Sequence, residues 1–445
     1  MNGRALCTDL YELTMMAGYY VAGMRGTATF ELYARDLPPH RSFLIAAGLE
    51  QALEYLERLR FSEQDIRHVR QLPGFDHLPI EFFDEYLPAF RFSGEVWAVE
   101  EGTPVFPPEP ILRVTAPLSE AQFVETALLA YVSFQTSVAS RAARMVEASA
   151  GRPVAEFGSR RAHGLDAALY AARAAFLAGC ESTSNVEAGR RFGIPVSGTM
   201  AHSWVMAFPD ELSAFQQYSC LFGDAAVMVL DTYDTIGAAR SLAASGLKPR
   251  GVRLDSGDFI ALSRDVRGIL DAAGLRATTI FVSGDLDEWR IAEMVKAGAP
   301  IDGFGVGTAL STSSDAPSLG AVYKLVEIER DGQVLPIMKF SPGKPTFPGR
   351  KQVWRLLSGG NAVEDLLGLA DEPGDSGGRP LLDRVMVNGR REFASPPLAA
   401  LRQRCRQRLD ELPAAVRRLR DPERYPVLFT GVLRSTCNRL SQARG

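Results

Sequence analysis

Residues 179–208 read GCESTSNVEAGRRFGIPVSGTMAHSWVMAF, and this stretch indicates the fold class most clearly. Two short runs, 179–184 and 195–199, each end in small hydroxylated residues, and the second leads directly into His202. In α/β proteins the carboxyl ends of parallel strands line the ligand crevice, so His202 is a candidate catalytic residue. The alternative is an ordinary core or capping histidine, because imidazole is also a common hydrogen-bonding group.

Seven short strand-like runs alternate with helical patterns through the middle of the chain, which is typical of a parallel sheet or barrel. Polar residues follow each run, and polar strand ends that share one edge predict a single crevice. We therefore predict an α/β fold centred on an irregular (β/α) TIM-like barrel. The seven runs cover residues 154–158, 179–184, 195–199, 226–231, 251–255, 278–283 and 301–305.

The regions on either side of these runs lack the alternation. An amphipathic helix near residues 8–20 precedes strands of antiparallel character, and a long helical run at 119–149 leads into the barrel. Strand patterns resume after residue 321 and indicate a return to the first domain. The predicted domains are 1–118, the barrel with its connecting helices at 119–320, and 321–445.

The overall charge excludes some classes of partner. The 445 residues include 49 Lys and Arg against 53 Asp and Glu, a formal net charge of -4. This balance gives no global electrostatic case for nucleic acid or an anionic membrane, so an anion must be bound locally. Asp9 and Glu12 interrupt the apolar core that a secretion signal needs, and no membrane span is predicted, so we expect a cytoplasmic protein.

The cysteines and histidines do not predict a metal centre. Five cysteines are widely scattered without a C-x-x-C pair, which argues against a zinc knuckle or a disulfide framework. The five histidines show no metal-ligand spacing on one helix, so a structural metal is not expected.

Two motifs carry groups suited to a sugar phosphate. GFGVGT at 303–308 has glycines that let backbone N–H groups approach an anion, although a plain turn is the alternative. VRLDSGD at 252–258 puts Asp255 at a strand end, where it suits sugar hydroxyls or a Mg²⁺-bound diphosphate. Asp258, by contrast, is expected to cap the helix that follows.

Two further motifs are basic. Arg160 and Arg161 follow a predicted strand, and a guanidinium fork matches a carboxylate in two places, although a solvated arginine pair is equally consistent. Residues 339–351, KFSPGKPTFPGRK, contain four basic residues, three prolines and no acid. They suit a mobile loop over a polyphosphate, or an ordinary exposed loop.

Together these segments resemble the nicotinate phosphoribosyltransferases. The blocks that match in order are TDLYELTM, FELY followed by FLIAAGLE, EFGSRRAHG, TSNVEAGRRFGIPVSGTMAHSWV, VRLDSGD, GFGVGT and KPTFPGRKQVWR. The resemblance implies an α/β sandwich domain built from both chain ends beside the barrel. It also implies a head-to-tail homodimer, in which the N-terminal domain of one subunit closes the barrel mouth of the other.

The implied reaction joins nicotinate to phosphoribosyl diphosphate, giving nicotinate mononucleotide and diphosphate with coupled ATP hydrolysis and Mg²⁺. His202 matches the histidine that ATP phosphorylates in the family. Tyr11 would face the pyridine ring across the dimer, while Arg160 or Arg161, with Arg253, would pair with its carboxylate. The implied phosphoribosyl and phosphate contacts are Asp255 (also a candidate indirect Mg²⁺ ligand), Ser283, Gly284, Gly305, Gly307 and Thr308, and the implied diphosphate or ATP contacts are Lys344 and Lys351.

The nearest alternative is a nicotinamide phosphoribosyltransferase, where the position matching Ser184 looks like an aspartate that accepts from the amide. A carboxylate there would repel nicotinate, so Ser184 favours the acid. Quinolinate would call for extra basic residues and lacks the ATP step. A lyase or aldolase barrel needs a Schiff-base lysine, for which Lys324 is the only candidate. A non-catalytic nucleotide-binding protein would not need His202 and Asp255 intact.

Overall fold

The computed structural model describes residues 4–340, 346–372 and 377–443. The chain forms two compact units, Met1–Ser137 with Ser318–Gly445, and Val138–Pro317. The first boundary lies inside the helix Glu125–Ala148, later than the predicted position at 118, because one continuous helix serves both units and no linker marks the change. Among the described residues, none of the helices has both the length and the apolar character that a membrane crossing requires.

The unit Val138–Pro317, called here the parallel unit, is built on a six-stranded sheet in which every pairing is parallel. Apolar side chains such as Val154, Val252 and Ile280 are almost completely buried, as expected for strands covered on both faces. The strands in spatial order are Ser182–Thr183, Val154–Glu156, Gly303–Val306, Thr279–Val282, Gly251–Leu254 and Val227–Val229.

Six of the seven predicted runs are therefore strands of this sheet, which confirms the α/β class. The run at 195–199 differs, because it contributes a single parallel bridge from Val196 to Thr183. Pro195 has no N–H to give to a ladder, which is consistent with this limited pairing.

Helices connect the strands of the parallel unit. Asp258 accepts hydrogen bonds from the backbone N–H groups of Ile260 and Ala261, so its expected capping role is confirmed. Asn185, Asp210, Asp234 and Asp287 cap other helices in the same way. The helices are Leu165–Leu177, Val186–Phe192, His202–Met206, Glu211–Phe222, Thr235–Ala244, Phe259–Ala272, Glu288–Lys296 and Thr308–Ser311, with single turns at Ser159–Arg161 and Gly223–Ala225.

The other unit, called here the antiparallel unit, centres on a seven-stranded sheet. Thr27–Ala34 pairs with Pro110–Pro117 on one side and with Ala321–Arg330, from the far end of the chain, on the other. The order is Gln333–Pro336, Ala321–Arg330, Thr27–Ala34, Pro110–Pro117, Glu95–Val99, Leu382–Val387 and Arg390–Arg391. Both ends of the sequence are thus parts of one sheet.

Two smaller sheets and several helices complete the antiparallel unit. A four-stranded sheet contains Arg379–Pro380, Lys351–Ser358, Asn361–Leu369 and Val427–Phe429, and Leu44–Ile45 pairs with Pro104–Val105. The helices are Leu10–Val21, Leu49–Arg58, Glu63–Arg70, Phe82–Tyr86 (a π turn), Leu87–Ala89, Leu118–Phe123, Leu398–Asp410, Ala414–Arg417 and Gly431–Gln442. Buried aromatic residues, including Phe30, Phe82 and Phe123, form much of the core.

Candidate active site

A cavity of about 500 Å³ opens at the carboxyl ends of the parallel strands. Its lining comes entirely from the parallel unit, where the strand-to-helix loops meet. All the site residues predicted in this unit line the cavity: Arg160, Arg161, Ser184, His202, Arg253, Asp255, Ser283, Gly284, Gly305, Gly307 and Thr308. The structure therefore brings together groups that are up to 148 positions apart, from Arg160 to Thr308.

Asp255 lies at the centre of the polar network in this cavity. Its Oδ1 accepts a hydrogen bond of 2.5 Å from Ser283 Oγ, and its Oδ2 lies 2.8 Å from Arg253 Nη2. His202 Nε2 is 3.6 Å from the same Oδ2. Arg253 and Asp255 reach one side of the sheet because side chains alternate along a strand with a period of two.

The environment of Asp255 favours its ionised form. Burial alone would raise the pKa of this carboxyl, but the hydrogen bond from Ser283 and the positive charge of Arg253 outweigh burial and lower the pKa. Asp255 is thus a carboxylate at neutral pH and can only accept hydrogen bonds. Such a group suits the hydroxyls of a sugar or the water shell of a cation.

The guanidinium of Arg253 is already occupied. Its Nε donates to Ser283 Oγ at 2.8 Å, and its Nη1 donates to Thr199 Oγ1 at 2.7 Å and to the carbonyl of Met200 at 3.3 Å. Together with the contact between Nη2 and Asp255, these bonds use four of the five N–H donors of the guanidinium, so Arg253 offers a substrate carboxylate a single further donor unless a partner is exchanged.

His202 begins a short helix and has a partly exposed ring. Its Nδ1 is 3.2 Å from Thr232 Oγ1, while its Nε2 is directed towards Asp255. Asp231, for which the sequence predicted no role, stabilises the loop that contains Asp255 and Ser256. Its Oδ2 accepts from the backbone N–H of Asp255 at 3.0 Å and from Ser256 Oγ at 2.6 Å.

Two glycines allow close approach of the backbone in this cavity. Gly284 has a φ of +101°, and a Cβ there would collide with the carbonyl oxygen of Asp255. At Gly305 a Cβ would lie 2.8 Å from the ring of Phe157 and 2.9 Å from that of Phe281. Larger residues would therefore displace the loops that line the site.

Phe157 is a lining residue that the sequence analysis missed. It follows the strand Val154–Glu156 directly and precedes the arginine pair, and that position is the signal that could have identified it. Its ring packs beside that of Phe281, with centroids 5.7 Å apart. An aromatic ring is an apolar surface against which a flat heterocycle can stack.

A buried carboxylate organises the loops around the arginines. Glu156 accepts hydrogen bonds from the backbone N–H of Gly158 and from Thr183 Oγ1, the latter at 2.6 Å. Burial raises the pKa of Glu156, although both hydrogen bonds oppose that rise. Glu156 joins two neighbouring strand ends, leaving Arg160 and Arg161 exposed on the single turn above.

Comparison with known proteins identifies the family. Models described as the nicotinate phosphoribosyltransferase N-terminal domain, family and C-terminal domain match residues 6–133, 153–351 and 374–436. The chain is 47% identical to nicotinate phosphoribosyltransferase pncB2 of Mycobacterium tuberculosis over 450 residues, covering 99% of this chain and 94% of that protein. The chain belongs to the nicotinate phosphoribosyltransferase family. The resemblance seen in the sequence is thereby confirmed.

Other known proteins also match this chain over nearly its whole length. The nicotinate phosphoribosyltransferase of Bacillus subtilis is 40% identical, covering 95% of this chain and 92% of that protein. The crystal structure of human nicotinic acid phosphoribosyltransferase matches with a TM-score of 0.83 and 31% identity, covering 98% and 99% of the two chains. A crystal structure titled nicotinate-nucleotide pyrophosphorylase from Pyrococcus furiosus matches with a TM-score of 0.76 and 27% identity, covering 92% and 96%.

Two predicted site residues, Tyr11 and Lys351, do not line this cavity. Tyr11 is on the helix Leu10–Val21 of the antiparallel unit and is 43% exposed. Lys344 lies outside the described residues. Lys351 is only 1% exposed, so the prediction of a loop contact with diphosphate or ATP does not fit its position.

Lys351 has a structural environment instead. Its ammonium group lies 2.7 Å from Glu31 Oε2 and donates to the carbonyls of Phe347 and Gly349 at 2.7 and 2.8 Å. These three partners use the three donors of the ammonium group. Buried charge requires such pairing, which explains why this lysine is not directed into solvent.

The carboxylates of the cavity suit a metal ion that binds together with a phosphate-bearing substrate better than one that protein side chains hold alone. The described residues contain no cluster of three or more His, Cys, Asp or Glu that could hold a metal ion. Within the same part of the chain, Asp231 Oδ1 is a buried oxygen without a hydrogen-bond donor. Mg²⁺ usually takes one or two carboxylates and completes its shell with water and phosphate oxygens, so Asp231 and Asp255 fit this requirement.

Proposed function

We propose that the protein transfers the 5-phosphoribosyl group of phosphoribosyl diphosphate to nicotinate, giving nicotinate mononucleotide and diphosphate in NAD salvage. Family membership at 47% identity over almost the full length supports this reaction. The observation that carries the proposal is that His202, Asp255 and Thr308, which come from different loops, line one cavity.

The reaction breaks the bond between ribose C1 and a diphosphate oxygen, and the electron pair leaves with diphosphate. The nicotinate ring nitrogen donates its pair to C1, which is oxocarbenium-like in the transition state. The ionised Asp255 would hold ribose hydroxyls and stabilise positive charge at the sugar. Mg²⁺, bound with the diphosphate, would neutralise part of the leaving-group charge near Asp231 and Asp255.

Nicotinate would lie between the arginine turn and the strand ends. Arg160 and Arg161 are exposed and can receive a carboxylate in two places without breaking an existing cavity bond, whereas Arg253 must exchange a partner to bind one in this way. Phe157 offers a ring against which the pyridine can stack. Ser184 adds a neutral hydroxyl, which suits an acid better than the aspartate expected of an amide-specific enzyme.

Ser283, Gly284, Gly305, Gly307 and Thr308 would hold the phosphoribosyl group. Hydroxyls and backbone N–H groups in tight glycine turns are the usual ligands for phosphate in such loops. Positioning of the sugar against the nicotinate nitrogen would then supply much of the rate.

We further propose that ATP phosphorylates His202 and so couples its hydrolysis to nucleotide formation. The ring is held at Nδ1 by Thr232, and Nε2, which is 3.6 Å from Asp255 Oδ2, would attack the γ-phosphorus of ATP and release ADP; hydrolysis of the phosphohistidine would then return the free imidazole and phosphate. Phosphorylation would add about -1.5 to -2 charges beside the diphosphate position, by analogy with other phosphorylated residues.

The substrate and the ATP step can be tested together. Purified protein is offered nicotinate, nicotinamide or quinolinate with phosphoribosyl diphosphate, each with and without ATP, and the nucleotide product is measured. We expect product from nicotinate and stimulation by ATP that the His202→Ala variant loses. Preference for nicotinamide would favour the alternative nicotinamide phosphoribosyltransferase, and full ATP stimulation of His202→Ala would refute the phosphohistidine step.

The finer architecture also belongs to this proposal: an irregular (β/α) TIM-like barrel, an α/β sandwich formed by both chain ends, and a cytoplasmic head-to-tail homodimer. Tyr11 and Leu10 are exposed side chains on one helix, as a residue donated to a second subunit must be. Mixing Tyr11→Ala with Asp255→Asn should restore activity if each site combines two subunits. Activity that stays at the level of the separate variants would contradict the shared site.

A further inference from the structure

The parallel unit contains a buried cluster of charged side chains that is not part of the lining of the candidate active site. Arg141 Nη2 is 2.8 Å from Glu288 Oε2, and Arg141 Nη1 forms an ion pair with Asp315 Oδ1. The side chains of Arg141 and Glu288 are only 4% and 2% exposed. Arg144, one turn along the same helix, lies 3.3 Å from the other carboxylate oxygen of Glu288.

The two carboxylates end two segments that begin in the cavity. Residues 283–288 run from Ser283 and Gly284, which line the cavity, to Glu288, the first residue of the helix Glu288–Lys296. Residues 307–315 run from Gly307, through Thr308, to Asp315 in the same way. One guanidinium therefore holds the far ends of both segments.

The near ends of these segments are the predicted contacts for the phosphoribosyl group. The strands that precede them, Thr279–Val282 and Gly303–Val306, are neighbours in the sheet, with Val282 paired to Phe304. The first segment turns sharply, with Gly284 at φ +101° and Asp285 at φ +46°. The sheet aligns the two strands but not the segments that follow them. The contacts of Arg141 with Glu288 and Asp315 join these segments after the turns and so help to set their spacing.

A buried ion pair is a poor source of net stability, because desolvation cancels much of the attraction, but it can specify one geometry. A guanidinium presents its donors in a rigid planar fork, so it fixes the separation of two carboxylates more closely than the rotatable donors of an ammonium group do. The contacts of Arg141 have this bridging form.

We propose that Arg141 is a positioning residue for the phosphoribosyl diphosphate site. Its guanidinium sets the spacing between the Ser283–Gly284 turn and the Gly307–Thr308 turn, acting through Glu288 and Asp315. This inference rests on the proposed function, because those two turns are assigned there to the phosphoribosyl group. It assigns no contact between Arg141 and any substrate.

The test compares Arg141→Lys with Arg355→Lys, a matched replacement of a buried, carboxylate-paired arginine in the antiparallel unit. For each variant, KM is measured for phosphoribosyl diphosphate and for nicotinate, together with direct calorimetric binding of phosphoribosyl diphosphate and thermal unfolding. We expect Arg141→Lys to weaken phosphoribosyl diphosphate roughly tenfold in both KM and binding, because a small misplacement of contact groups is costly. The KM for nicotinate should change little, and Arg355→Lys should alter stability without this selective loss.

Asp315→Asn provides a second variant if Arg141→Lys does not fold, because it cuts one arm of the bridge at a partly exposed side chain. Asp315→Asn should also weaken phosphoribosyl diphosphate selectively, but by less than Arg141→Lys does. Equal effects on both substrates, or no loss of phosphoribosyl diphosphate binding in folded variants, would overturn the inference. A wild-type protein that transfers no phosphoribosyl group would instead refute the proposed function, so the two failures are distinct.

Discussion

Two arginine–aspartate pairs with the same chemistry occupy opposite environments. Arg355 binds Asp365 through two contacts of 2.9 and 2.6 Å, and both side chains are 0% exposed. Arg253 lies 2.8 Å from Asp255, but these side chains are 12% and 25% exposed and line the cavity. The first pair is closed to ligands, whereas the second can exchange its partners. Access to solvent, and not residue type, separates the structural pair from the candidate functional one.

The closed pair is stabilised by a dense set of neighbours. Arg355 also donates to the carbonyl of Pro104 at 2.9 Å, and Tyr425 donates to Asp365 Oδ1 at 3.1 Å. Burial alone would lower the pKa of Arg355, but the Asp365 carboxylate outweighs it and raises the pKa. Burial and the nearby Asp365 together raise the pKa of Glu109 well above its ordinary value.

Breaking the closed pair should have the largest effect on stability. Arg355→Met leaves Asp365 as an unpaired buried charge, which we expect to lower the free energy of unfolding by about 3–5 kcal/mol. Urea unfolding measures the loss, and the folded fraction should keep its substrate KM values. The double variant Arg355→Met/Asp365→Leu should recover part of the loss. A single variant as stable as the wild type would show that the pair is not a structural element.

Neutralising the open pair should have the next largest effect, on activity. Asp255→Asn keeps the side-chain shape but removes the charge that we assign to transition-state stabilisation. We expect kcat/KM to fall by roughly 10²- to 10³-fold. Circular dichroism and thermal unfolding should change little, because the carboxylate is partly exposed. Near-normal turnover by a folded Asp255→Asn variant would remove Asp255 from the catalytic groups.

Adding a carboxylate to the open region should have an intermediate effect. Ser184→Asp places a negative charge near the expected nicotinate carboxylate, and like charges repel. Because position 184 is exposed and screened, we expect a loss of roughly tenfold in kcat/KM for nicotinate, with a smaller loss for nicotinamide. Ser184→Asn is the neutral control. Equal losses for the two substrates would argue against Ser184 as a selectivity residue.

The last expected effect depends on pH and concerns a buried carboxylate that lies near a second carboxylate. Burial, together with the charge of Glu125, raises the pKa of Glu12 from 4.5 to about 7. A raised carboxyl pKa stabilises the fold at low pH, and that contribution is lost as the pH rises from about 4.5 to about 7. Glu12→Gln should therefore gain stability relative to the wild type across this window in thermal unfolding. A stability difference that does not vary with pH would contradict the shift.

The sequence could predict that the site residues come together, because each of them is marked by a strand-like run next to it in the sequence. His202, Asp255 and Thr308 each lie at or just after the end of a strand-like run, and a parallel sheet puts such ends on one edge. Other features depend on distant partners. Lys351 pairs with Glu31, 320 positions away, so its burial has no local signal in a basic, proline-rich segment. Phe157 was missed because an aromatic residue beside a strand usually indicates core packing.

The same limit applies to the architecture. The boundary between the two units lies inside the helix Glu125–Ala148, and no change in composition marks it. A helix with apolar residues on one face can pack in either unit. The single bridge at Val196 was also hidden, because residues 195–199 have the composition of their neighbours and differ only in the donor that Pro195 lacks.

Hydrogen–deuterium exchange with and without phosphoribosyl diphosphate and nicotinate tests the central claim most directly. If the open region is the site, ligand should slow exchange in segments 253–258, 283–288 and 305–312. Segment 353–367, which contains the closed Arg355–Asp365 pair, should be unchanged. Protection confined to 353–367, or absent from the three loop segments while ligand is bound, would contradict the assignment of the site to this cavity.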